Sequence, residues 1–243
     1  MKNMKLTFIG TSHGVPEADH RCSCNMLTVG ENVYFVDMGT QAIEDLRRMD
    51  TAPERVKGVF ITHMHGDHVN GLLSFADICN WFFTSAQPQI FLPTPEGADA
   101  VKTWLLALDK RDFCRMDIRV AHEGVIFDDG ALKVTAVRTL HTRLSYAYIL
   151  ESEGKTLLFT SDLKAVDEDY PKCVFGRTLD AVICESAHIH PADYLPAFEK
   201  SDIARVFLTH VQPRKYEEAR AFAAAYEERY CVTLAEDGME IEI

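Results

Sequence analysis

At 243 residues, 47% of them apolar and 26% charged, the chain is long enough to bury a full core and has the composition of an ordinary globular protein. Its formal charge of −12 argues against a domain that grips long nucleic acid, because such binding rests on a basic excess that neutralises phosphates. Seven cysteines, an odd and scattered set (Cys22, Cys24, Cys79, Cys114, Cys173, Cys184, Cys231), do not read as a disulfide framework. No signal-peptide core or run of about 18 apolar residues is visible, so a cytosolic protein with reduced thiols and no membrane contact is expected. Periodicity predicts strands in "KLTFIG", "NMLTV" and "VYFVDMG", a helix in "QAIEDLRRM", and a strand in "VKGVFIT". A helix in "NGLLSFADICNWF", a strand in "QIFLP" and a helix in "EGADAVKTWLLALDK" follow. Strands are then expected in "MDIRVAHEG", "LKVTAVRTLH", "SYAYILES", "KTLLFTSD", "LDAVICES" and "ARVFLTH". The chain closes on an amphipathic helix in "PRKYEEARAFAAAYEERY" and a hairpin in "CVTLAEDGMEIEI". Sheets covered by helices on one face and by each other on the other make a layered α/β arrangement, expected as one domain over residues 1–243.

The stretch "THMHGDH" crowds His63, His65, Asp67 and His68 behind the apolar run "VKGVFI". Residues two apart on an extended chain point to one side, so His63 and His65 can reach one ion. A tight turn at Gly66 would then let Asp67 and His68 project toward a second position. Neutral imidazoles and a carboxylate suit Zn²⁺, and also Mn²⁺ or Fe²⁺. A two-metal site demands further ligands at strand exits, and His141, Asp162 and His210 each close an apolar, β-branched run. His13, His20 and His122 are expected at the surface.

With these residues in place, the whole chain resembles the hydrolases of the metallo-β-lactamase superfamily. The matching motifs are Asp37 in "FVDMG", then "THMHGDH", His141, Asp162 and His210. The resemblance implies an α/β fold of four layers, an αββα sandwich with a dinuclear site along one edge. It implies that His63, His65 and His141 hold one divalent ion while Asp67, His68 and His210 hold the other. Asp162 would bridge the two ions, Asp67 would be indispensable to catalysis, and Asp37 would fix the motif loop from behind. Two such ions, about 3.5–4 Å apart, can share a hydroxide that serves as nucleophile near neutral pH.

That chemistry serves phosphodiesters, thioesters and lactones alike, so the bond cleaved must be read elsewhere. "FIGTSHGVP" resembles the opening of ribonuclease Z and its phosphodiesterase relatives, and the complete Asp67–His68 pair also fits that branch, although glyoxalase II shares it. Unlike ribonuclease Z, the chain shows no Gly/Pro-rich arm for gripping transfer RNA. Its "CESAH" places Cys184 and Glu185 where that family has the histidine and glutamate of "HEAT". His188 or His190 in "ESAHIHP" is then the candidate proton donor to the leaving oxygen. The cyclic-phosphate phosphodiesterase of the carbon-phosphorus lyase pathway is a second relative, similar in length, without the arm, and with cysteines after its "GVP". Here Cys22 and Cys24, with His20 near, would start a structural zinc site only if a distant residue completed it; a lone CxC is more often two thiols at a strand edge. Arg143 and Lys164, just after His141 and Asp162, are candidate substrate contacts, and Tyr146 is either a pocket border or core. "NWFF" is a possible homodimer contact, a pocket cover or core. The expected function is a dinuclear metal hydrolase acting on a small or short nucleotide phosphodiester. A thioesterase or lactonase is the alternative enzyme, and a metal-containing ligand-binding protein without turnover is the alternative of another class.

Overall fold

The computed structural model describes residues 4–109 and 116–243, so Cys114 and the last residue of the helix expected to end at Lys110 lie outside the described residues. The first part of the chain forms β1 (Met4–Gly10), β2 (Cys24–Val29), β3 (Asn32–Met38), α1 (Ile43–Arg48), β4 (Val56–Phe60), α2 (Gly66–Trp81), β5 (Gln89–Leu92), α3 (Pro95–Asp109) and β6 (Asp117–Val120). The second part begins with β7 (Gly124–Asp128), β8 (Lys133–Thr139), β9 (Ser145–Ser152), β10 (Lys155–Phe159), α4 (Val166–Asp169) and β11 (Thr178–Leu179). It continues through β12 (Ala181–Ser186), α5 (Leu195–Phe198), β13 (Asp202–Ile203), β14 (Val206–Val211), α6 (Tyr216–Tyr230), β15 (Val232–Leu234) and β16 (Glu240–Glu242).

One sheet runs β16-β1-β2-β3-β4-β5-β6 and the other β15-β14-β12-β10-β9-β8-β7, with β11 and β13 as a separate pair. The strands from β3 to β6 are parallel, as are β10, β12, β14 and β15. Parallel neighbours need crossovers, and α1, α2 and α3 supply them on the first sheet. Strands buried on both faces carry near-continuous apolar runs, and their side chains alternate between layers. On β3, Tyr34 and Val36 enter the core between the sheets, while Val33 and Phe35 face α1–α3. On β12, Ala181 and Ile183 enter the same inter-sheet core, and Val182 and Cys184 face the opposite outer layer with Phe198 and Phe222. Three apolar layers between four structural layers make the αββα sandwich of the metallo-β-lactamase fold.

Two expectations are corrected. "CVTLAEDGMEIEI" is not a hairpin: β15 pairs with β14 and β16 with β1, so the segment steps from one sheet to the other. "MDIRVAHEG" likewise divides, β6 adding to the first sheet and β7, which runs on through "VIFD", to the second. In both places a turn signal separates two short apolar runs, and such a pattern does not say whether the runs pair with each other or with different sheets. Both Gly124 and Gly238, at these crossings, take positive φ. No helix among the described residues is long and apolar enough to cross a membrane. In "NWFF", Asn80 is buried, Phe83 half-buried, and Trp81 and Phe82 exposed at the end of α2.

The exits of β3, β4, β10 and β14 converge on one edge of the sandwich. The sheets are tied together there, because the Tyr146 amide donates to the Thr62 carbonyl (3.0 Å) and the Tyr148 hydroxyl to the Ile61 carbonyl (2.8 Å). Tyr146 is therefore core.

Candidate metal centre

Beyond β4 the chain stays extended through His63 and His65, and α2 begins at Gly66. This corrects the expected turn: Gly66 has no positive φ and is the first residue of a helix that sequence periodicity placed four residues later. Asp67 and His68 thus project from the first helical turn, where Asp67 also meets the positive end of the helix dipole. Close approach fixes this turn, since a Cβ on Gly39 would overlap the Asp67 carbonyl and one on Gly71 the Thr40 carbonyl. His141 follows β8, Asp162 follows β10, and His210 lies within β14.

The side chains form two clusters. His63, His65 and His141 have one ligand atom each within 4.8 Å of the others, as do Asp67, His68 and His210. In the first, His65 Nδ1 lies 3.0 Å from His63 Nε2 and 3.3 Å from His141 Nε2. In the second, Asp67 Oδ2 lies 3.3 Å from His68 Nε2 and 3.6 Å from His210 Nε2. Asp162 sits between them, its Oδ2 at 3.6 Å from His141 and 3.4 Å from His210, its Oδ1 at 3.7 Å from His68. Ligands about 2.0–2.1 Å from a tetrahedral zinc are about 3.3 Å apart, so these spacings fit a pair of such ions.

The buried imidazoles are braced from behind. His68 Nδ1 pairs with Asp37 Oδ2 at 2.7 Å, which turns the buried Nε2, itself without a hydrogen-bond partner, toward the site. His210 Nδ1 donates to the Ser12 carbonyl at 2.7 Å. Asp37 Oδ1 also accepts from the Thr62 amide (2.8 Å) and hydroxyl (3.0 Å), and that hydroxyl lies 3.1 Å from His63 Nδ1. Asp37 therefore stands behind both clusters. Asp37, Ser161 and His210 are non-glycine residues with φ of 60°, 58° and 54°, left-handed backbone held at the strand exits where the ligands emerge.

Burial, with His68 and His141 adding, pushes the pKa of His63 down to about 2 and keeps that ring neutral. Burial would lower His68 and His210 too, but Asp37 and Asp162 raise the first, and Asp162 the second, above the ordinary range. Burial would raise Asp67 and Asp162, yet the facing imidazoles hold both below the usual carboxylate range. Carboxylates held ionised around buried imidazoles, whose extra protons a divalent cation would displace, form a donor set that fits such a cation.

His188 lies at the rim, its Nδ1 3.4 Å from Asp162 Oδ2 and 3.4 Å from Glu185 Oε1. The buried Glu185 also accepts from the His188 amide at 2.7 Å, and its hydrogen bond to the ring raises the His188 pKa against the opposing effect of burial. His190 turns away to Glu218 (2.9 Å). Arg143 is 84% exposed and reaches toward Glu96 at 3.4 Å, outside both clusters. Lys164 binds Glu168 at 2.9 Å and, with His188, Val166 and Pro196, lines a cleft of about 450 Å³ beside the site. Cys24 is buried in the core under α2, where burial raises its thiol, whereas Cys22 faces the side of Asp67; the metal-spaced groups among the described residues include neither. His122 is exposed, but His13, which pairs with Glu17, and His20, 3.0 Å from the Thr11 hydroxyl with its ring tilted against Tyr216, are both half-buried, which corrects their expected surface place. Two braces were missed in the sequence. Thr62 was visible inside "THMHGDH" with no role, and the Ser12 carbonyl, being backbone, leaves no residue signal.

The "GTSHG" loop that carries Ser12 lies against the second cluster. It is held from the far end of the chain, with Asp237 accepting from the Thr11 amide (2.8 Å) and hydroxyl (2.7 Å) and from the Arg21 amide (2.7 Å).

Ribonuclease BN of Cronobacter sakazakii is 30% identical over 156 residues, 63% of this chain and 51% of that protein. The chain spans about half the length of the curated relatives it matches. Among solved structures, the metallo-β-lactamase fold protein YhfI from Bacillus subtilis aligns with a TM-score of 0.77 at 17% identity, covering 99% of this chain and 100% of that one. The short form of human tRNase Z aligns with a TM-score of 0.74 at 21% identity, covering 98% of each. The chain is thus similar in sequence to ribonuclease BN and ribonuclease Z proteins and shares the metallo-β-lactamase fold of these structures. Residues 4–222 match the family described as "Anti-Pycsar protein Apyc1", and the chain belongs to that family.

Proposed function

We propose that this chain is a dinuclear metal-dependent phosphodiesterase of one domain, acting on a small or short phosphodiester. The observation that carries the reading is the joining of the two donor clusters through Asp162 with His188 beside it. Two divalent ions held there, zinc best matching the histidine-rich set, would acidify water and neutralise charge on the phosphoryl oxygens.

The protein's own groups then divide the work. His63, His65 and His141 would hold one ion, Asp67, His68 and His210 the other, and Asp162 both. Asp37 keeps His68 and Thr62 in place, so that the ligand atoms face inward before any ion arrives. His188, oriented by Glu185, which also raises its pKa, would deliver the proton from its ring to the departing oxygen. The cleft beside it would take the leaving half of the substrate. A small substrate is supported by the net charge and by the absence of an arm-like insertion in the sequence.

The test is a panel of bis-p-nitrophenyl phosphate, linear dinucleotides, cyclic nucleotides, a transfer RNA precursor, thioesters and lactones, run on protein purified without chelators and analysed for metal. Turnover of small phosphodiesters with two ions per chain is the expected result. Turnover of thioesters or lactones alone would overturn the phosphodiester reading, and bound metal without any turnover would favour a binding protein.

A further inference from the structure

Asp169, the last residue of the short helix α4, is buried, and none of the motifs draws attention to it. Its carboxylate receives backbone amides from two different loops. Oδ2 accepts from Leu140 at 2.8 Å and from Lys164 at 3.1 Å, and Oδ1 accepts from Ala165 at 3.2 Å. Leu140 directly precedes His141, and Lys164 is two residues beyond Asp162. The strands these loops leave, β8 and β10, are separated by β9. Their ends therefore stand roughly 9–10 Å apart, twice the usual strand spacing, and no ladder hydrogen bond joins them directly. Beyond the strand ends the two loops converge, and one carboxylate oxygen ties them together. Burying a charge that meets only amide donors is costly unless the geometry repays it, and here the return is a fixed distance between two loops that each carry a ligand.

We propose that Asp169 is a positioning residue of the metal centre, a clamp that sets His141 against Asp162 for the ion they share with His63 and His65. This rests on the two-ion reading given above. The clamp touches neither ion nor substrate, and the cluster of Asp67, His68 and His210 is braced by other groups, Asp37 and the Ser12 carbonyl. Asp162 serves both ions but His141 only the first, so loss of the clamp must weaken the first ion far more than the second.

The experiment is a competition titration of the metal-free protein with Zn²⁺ against a chromophoric chelator, repeated with Co²⁺ read by its visible absorption. It compares wild type, Asp169→Ala and Asp169→Asn, with His65→Ala marking the signal of the first cluster. Wild type should bind two ions. Asp169→Ala should bind the His65-dependent ion about 10–100-fold more weakly, the range for removing an outer support, and the other within a few-fold of wild type. Asp169→Asn should fall between them, because an amide oxygen in the Oδ2 position still accepts from Leu140 and Lys164 while its NH₂ opposes the Ala165 amide. If Asp169→Ala fails to fold, the asparagine variant decides alone. Wild-type affinities in the variants, or equal weakening of both ions, would overturn the clamp and leave the two-ion centre standing. A wild type that binds fewer than two ions would overturn the centre and the clamp with it.

Discussion

In the cluster of Asp67, His68 and His210, both imidazoles are buried and each donates its far nitrogen to a fixed acceptor. In the cluster of His63, His65 and His141, only His63 is fully buried, and His65 is exposed, its ring meeting only those of His63 and His141 in hydrogen bonds among the described residues. The same residue type thus sits in two mechanical settings, one preorganised by Asp37 and the Ser12 carbonyl, the other open to water along His65. Preorganised donors lose less freedom on binding, so the second cluster is expected to hold its ion more tightly and exchange it more slowly.

The change that should erase the contrast is Asp162→Ala. It removes the carboxylate common to both clusters, so both ions are lost and phosphodiester turnover falls by roughly 10³-fold or more, the equivalent of several kcal/mol of charge stabilisation. Turnover and metal content measured on one preparation check this. His188→Ala should leave both ions in place and slow substrates with alkoxide leaving groups about 10²-fold. A p-nitrophenolate leaving group needs no proton, so bis-p-nitrophenyl phosphate should slow much less, and equal slowing of both substrate types would remove His188 from proton transfer. Asp37→Asn sharpens the comparison by loosening His68 directly and His63 only through Thr62, weakening the second ion about 10–100-fold and the first less in a zinc titration. His65→Ala should reverse the pattern and weaken only the first ion. The smallest effect is kinetic: on chelator addition to the wild type, the ion at the exposed cluster should leave several-fold faster, giving a biphasic release curve.

The sandwich was legible in the sequence because its strands are buried on both faces. Runs such as "VYFV" and "AVIC" are apolar throughout, and little else in a globular chain reads so. The clustered ligands were legible for the opposite reason, as polar residues breaking those runs at their exits. What could not be read was where a run goes next. β6 and β7, and β15 and β16, look like single units in the chain and are divided between sheets by long-range pairing. The start of α2 was hidden because "HGD" reads equally as a turn or as a first helical turn, and only the close approach of Gly39 and Gly71 decides it. Asp169 and Ser12 act through backbone amides and a carbonyl, whose positions are set by the fold and not by residue type. The left-handed φ of Asp37, Ser161 and His210 is equally silent in the sequence, because each is a non-glycine residue held there by its surroundings.

Asp237 and β16 set an order of events for biosynthesis. The loop whose Ser12 carbonyl braces His210 is held through Thr11 and Arg21 by a carboxylate more than two hundred residues away, and β1 gains its outer neighbour only from Glu240–Glu242. Segments emerge from the ribosome in sequence order, so "GTSHG" must wait for more than two hundred further residues before it is secured. The second cluster is therefore expected to mature last, and nascent chains stalled before Asp237 should take up the ion at His63, His65 and His141 while binding its neighbour poorly.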